Sequence, residues 1–148
     1  QSDYADNPVA ADTWYANIEL GFRFTNQWVV TVGDEMLSGN GTSAFQTPLA
    51  TLHKFAGTAD VFDTSTPPDG IDDRYLRVYM PIGSVRFTVT WHDFKSERGN
   101  TRYGEELDAE LNWRLTTNWL IGAKYADYRA DAFATDTRKA WHWVQADF

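Results

Sequence analysis

The chain has 148 residues, no cysteine, a formal net charge of −8 and 16% aromatic residues. Disulfide staples and thiolate metal sites are excluded, and the acidic balance excludes a general nucleic-acid binder. No run of about 18 apolar residues occurs, so no transmembrane helix is expected; the negative mean hydropathy leaves a membrane β-barrel open, because its strands turn half their side chains to a wet lumen.

Residues 1–12 are polar and aperiodic, a loop or terminal segment; no signal peptide is visible, and Gln1 either follows a processed leader or lies inside a longer precursor. Alternation begins at Trp14. Ala16, Ile18, Leu20, Phe22 and Phe24 share its face, opposite Tyr15, Asn17, Glu19, Gly21 and Arg23. A turn at Thr25-Asn26-Gln27 leads to a second strand from Trp28 to about Leu37. Residues 38–70 form a long connection rich in Gly, Ser, Thr, Pro and Asp, expected to be a folded loop with one helical turn near 49–55. The third strand covers about 72–80, and Pro81-Ile82-Gly83-Ser84 turns it into the fourth, where Val85, Phe87, Val89 and Trp91 alternate with Arg86, Thr88, Thr90 and His92. After the polar loop 95–104, a fifth strand runs to Leu115, a sixth starts at Trp119, and a seventh reaches Phe148.

IELGFRFTNQWVV (18–30) recurs as AELNWRLTTNWLI (109–121), so one hairpin plan is used twice. The expected fold is all-β, an antiparallel up-and-down meander of about seven strands over residues 1–148. Short turns and long loops alternate, which puts all the short turns at one end of the sheet.

Alternation does not say which face meets water. A soluble lipocalin-like barrel would bury the apolar stripe around a hydrophobic ligand, whereas an outer-membrane barrel turns it to lipid. Four features favour the membrane: a first strand of about 11 alternating residues, aromatics at strand ends (Trp14, Phe24, Trp28, Trp91, Trp113, Trp119 and Tyr125), the asymmetry of turns and loops, and a final Phe148. The long loops, 38–70 among them, would then be extracellular. His142 falls on the lipid-facing register, as a neutral imidazole among aromatics or displaced by a bulge.

On the opposite face, Arg23, Arg77, Arg86 and Arg114 are expected near the short turns. They form either an anion-selective row or cross-strand ion pairs that stiffen the wall. Lys124 lies further up, opposite Glu110; Glu19 lies near Gly33 with no evident cation. Tyr15, Tyr75, Tyr79, Trp141 and Trp143 either stack on sugar rings or fill space. In the long loop His53, Lys54 and Asp60 are surface residues or meet a solute, and Asp69, Asp72 and Asp73 offer at most a weak surface Ca²⁺ site. No enzymatic motif is present and no cofactor is expected; adjacent acids such as Glu105 and Glu106 point to opposite faces.

FQTPLATLHKFAGTADVF, PPDGIDDRYLRV, WHDFKSERGNTRYGEELD and KYADYRADAFATDTRK resemble blocks of the alginate export family of Gram-negative outer-membrane porins, in the same order, over about residues 14–148. The resemblance is to the C-terminal part of that family. It implies a monomeric barrel with a large, even strand number, a polar charged lumen, and passage of an anionic polysaccharide or small polar solute. The partners implied are outer-membrane lipid and the remaining strands of the barrel, from one precursor or from other chains. A structural stave without transport is a further alternative.

Overall fold

The computed structural model describes residues 12–46, 56–62 and 66–148. Alternating side chains and the near absence of helix-period patterning make each segment a strand. They are β1 (Tyr15–Arg23), β2 (Val29–Leu37), β3 (Ile71–Ile82), β4 (Val85–Lys95), β5 (Arg102–Arg114), β6 (Trp119–Ala130) and β7 (Thr137–Ala146). They pair in chain order as one open antiparallel sheet of seven strands, with β1 and β7 at its edges. The expected residues 1–11, the helical turn near 49–55, and His53 and Lys54 lie outside the described residues.

The repeated sequence has a repeated joint. In the first hairpin the Phe24 N–H donates to the Trp28 carbonyl at 2.8 Å; in the β5–β6 hairpin Leu115 N–H donates to the Trp119 carbonyl at 3.0 Å. A polar side chain in each turn accepts the Trp N–H: Asn26 Oδ1 for Trp28 and Thr116 Oγ1 for Trp119, both at 3.2 Å. The β3–β4 connection is tighter than expected. Ile82 pairs with Val85 and Pro81 with Arg86, so only Gly83-Ser84 turns. Gly83, with φ 59°, supplies the positive φ that a two-residue hairpin takes at its first turn position. Two strand ends also differ from expectation: β2 starts after Trp28, whose carbonyl closes the turn, and β7 stops at Ala146.

The short turns share one end of the sheet, the turn end. Residues 38–70, 96–101 and 131–136 leave from the other, the loop end. There, residues 56–62 fold back over one face, here the inner face. Phe62 sits 4.9 Å from the Phe133 ring, stacked, and 5.0 Å from Phe94, edge on. Leu37, Ile71, Tyr103, Ala126 and Tyr128 complete this core. The Tyr128 hydroxyl donates to carbonyls of Tyr103 and Phe133, so the aromatic bulk is buried without stranding its oxygen.

The outer face is the reverse of a core. Ile18 is 67% exposed, Leu20 73%, Phe22 64% and Val144 64%. Toward the loop end this apolar belt stops at a band of ion pairs that sequence reading does not foresee. Arg74 reaches Asp34 and Asp72, Arg102 reaches Asp93, Glu105 and Asp131, and Arg138 reaches Asp127. His142 stays on the outer face opposite Ala123, with the β6–β7 register unbroken, so no bulge displaces it.

Candidate functional site

Strand alternation places Glu19, Arg23, Tyr75, Arg77, Tyr79, Arg86, Glu110, Arg114 and Lys124 all on the inner face. They divide into two groups along it. Arg23, Arg86 and Arg114 sit at the turn end, where no carboxylate pairs with them. Arg23 donates to Gln27 Oε1 at 3.5 Å and Arg114 to the Thr117 carbonyl at 3.1 Å. The ion-pair alternative therefore fails for these three among the described residues.

Arg77 does not join that row. It pairs with Thr90, which pairs with Asp108, so it lies deeper along the wall. Its guanidinium is 3.6 Å from Glu19 Oε1 and 5.0 Å from the centre of the Tyr75 ring. Glu19 thus has the cation that the hairpin alone did not supply. Gly33 makes this possible. It separates Glu19 from Tyr75 in register, and any Cβ there would collide with the Tyr75 ring, which crosses the glycine to hydrogen-bond Glu19. The expected Glu110–Lys124 pairing is present, at 3.2 Å across β5 and β6.

Between this middle zone and the core lies a cavity of roughly 690 Å³. Its floor is strands β1 to β6 and part of its rim is the 56–58 backbone with Phe45. Tyr75 lines it, together with Glu19, Arg77, Glu110 and Lys124; Tyr79 and the turn-end arginines do not. Five carboxylates (Glu19, Glu35, Asp73, Asp108, Glu110) face two permanent cations, Arg77 and Lys124.

Sequence reading did not single out Glu35 or Asp108 of the cavity, nor Glu106 beneath the loop. His92 Nδ1 lies 2.9 Å from both oxygens of Asp73, and its Nε2 is 3.7 Å from Asp108 Oδ2. The Tyr15 hydroxyl donates to Glu35 at 2.6 Å. Glu106 is fully buried and accepts the N–H groups of Thr58 and Ala59 at 2.6 and 2.7 Å; Asp108 also accepts from Thr58, at 3.1 Å. These bonds tether the folded loop to β5. A signal was present: Glu106, Asp108 and Glu110 recur at every second position, which puts all three on one face.

Other candidates resolve as structure. Trp141 packs against the core, and Trp143 covers Gly122, where a Cβ would meet its indole. Asp60 takes the Lys139 ammonium at 3.0 Å. Asp72 faces outward to Arg74 while Asp73 faces inward to His92, so the acids of the PPDGIDD stretch do not converge on a cation. Both nitrogens of His92 face carboxylates, and no hydroxyl of a described residue is hydrogen-bonded to it. No family model, curated protein or solved structure matches the chain.

Proposed function

We propose that this chain forms part of the wall of an outer-membrane β-barrel, a porin whose charged inner face lines a water-filled passage for small polar solutes. The observation that carries this reading is the outer face. Contiguous exposed apolar surface beyond a few hundred Å² marks a surface covered by lipid or protein, and here it runs from Ile18, Leu20 and Phe22 on β1 to Val144 on β7. Leu76, Val78 and Met80 on β3 and Val85, Phe87, Val89 and Trp91 on β4 continue it in register. Lipid is favoured because the belt is flanked by aromatics, Trp14 and Trp113 among them, and ends in the ion-pair band.

The inner face supports a passage. A soluble lipocalin-like barrel needs an apolar interior, and this face carries arginines, a lysine and carboxylates instead. The turn-end arginines Arg23, Arg86 and Arg114 suit anionic solutes, in keeping with the alginate-type resemblance. Since β1 and β7 have no partner on their outer edges among the described residues, closing the barrel takes further strands, from the same precursor or from other chains.

Spin labels test the orientation. The chain has no cysteine, so Leu20→Cys and Thr88→Cys each give one labelled position, on the outer and inner face respectively. In lipid bilayers the label at 20 is expected to relax with dissolved oxygen and the label at 88 with a water-soluble nickel complex. Water contact at 20 together with a dry position 88 would overturn the reading.

A further inference from the structure

We propose that Glu106 and Asp108 hold one proton between them, and that its loss as pH rises releases residues 56–62 from the inner face. The two side chains leave β5 two residues apart, on one face. One N–H, that of Thr58, donates to both carboxyls, to Glu106 Oε1 at 2.6 Å and to Asp108 Oδ2 at 3.1 Å. The carboxyls are also within hydrogen-bonding reach of each other. Their other oxygens, Glu106 Oε2 and Asp108 Oδ1, are buried with no donor among the described residues. Two carboxylates so placed repel, and each leaves an oxygen desolvated without a donor. A proton shared between them removes one charge and supplies the missing donor, in a short O–H···O⁻ bond.

The elements packed around the pair offer it no permanent cation. Glu106 faces His92 on β4 and Tyr128 on β6 in register. The Tyr128 hydroxyl is engaged by the Tyr103 and Phe133 carbonyls. His92 turns Nδ1 to Asp73 of β3 at 2.9 Å and keeps Nε2 3.7 Å from Asp108 Oδ2, while Glu35 of β2 adds negative charge behind the imidazole. Lys139 of β7 is held by Asp60 of the covering segment, and Lys124 of β6 by Glu110. The outer-face pair Asp34 and Asp72 has the other solution, because the Arg74 guanidinium reaches both, at 3.4 and 3.1 Å. Lifting residues 56–62 hydrates Glu106 and Asp108, which then ionise as ordinary carboxyls do, near about pH 4. The covered state thus binds one proton more than the open state at neutral pH, and its stability falls as pH rises. This device does not depend on what surrounds the outer face.

The test is limited proteolysis of the purified full chain in detergent by subtilisin, with the cleavage rate within 56–62 divided by that of an unfolded peptide of the same sequence. One retained proton makes cleavage about tenfold faster at about pH 8 than at about pH 7. Glu106→Gln puts an amide donor where the proton sits while its oxygen still accepts from Thr58 and Ala59, and Asp108→Asn does the same from the other side. Either variant should reduce the step to less than about twofold. Infrared spectra read the proton itself, as a protonated-carboxyl carbonyl stretch present in the parent at about pH 7 and diminished in both variants. The proposal is overturned if parent cleavage does not change between the two pH values, if the step survives in either variant, or if the carboxyl stretch is the same in parent and variants. Where one variant does not fold the other decides, and a parent without the stretch overturns the proposal with neither.

Discussion

The two ends of the sheet are built from the same strands and the same alternation, yet they do different work. At the loop end, residues 56–62 cover the inner face, aromatic rings interlock, and acids are buried against backbone N–H groups. At the turn end the inner face is open, its arginines lack carboxylate partners among the described residues, and each repeated hairpin is closed by backbone hydrogen bonding to a tryptophan carbonyl. Periodicity sets which face a residue occupies; what lies over that face decides whether the residue is packed into the fold or left open.

The sharpest way to break this contrast is to remove one ring from each region. Phe94 is fully buried and touches Phe62 and Tyr128. Phe94→Ala is expected to cost about 3–5 kcal/mol, read from the denaturant midpoint in detergent. Phe22→Ala, at an outer position that is 64% exposed, should cost less than about 1 kcal/mol. Equal losses would mean that stability is spread evenly along the sheet.

A smaller effect sharpens the role of the tether. Gly57 has φ +84°, and a Cβ there would lie 2.7 Å from the Glu106 carboxylate. Gly57→Ala should cost about 1–2 kcal/mol in backbone strain and open the 56–62 segment to protease while the strands stay resistant. Protection equal to the parent would remove the loop's dependence on Glu106.

The smallest expected change in stability, within about 0.5 kcal/mol, goes with the turn-end pair Arg23→Glu and Arg114→Glu. Their effect should appear instead in planar-bilayer recordings, as a reversal potential moved toward cation preference. Unchanged selectivity would retire the turn-end arginines as a filter.

Strand positions were legible in the sequence because alternation and turn residues are local signals. The Glu110–Lys124 register followed from the turn between them, and the structure keeps it. Contacts that skip a strand were not legible. Arg77 reaches Glu19 from two strands away because Gly33 leaves room for Tyr75, and nothing local announces that. The loop tether joins residues 48 positions apart. The charged band on the outer face was overlooked for another reason: Asp34, Arg74, Asp93 and Glu105 continue an apolar stripe in phase, so only their common height on adjacent strands reveals it.

The paired tryptophan closures carry a consequence for how such a wall can lengthen over generations. The joint between two strands is encoded within about a dozen consecutive residues, and its closing hydrogen bond to the tryptophan carbonyl recurs where the flanking loops differ entirely. A gene copying that short module would add two strands whose edges already match their neighbours, leaving the loops at the opposite rim to diverge.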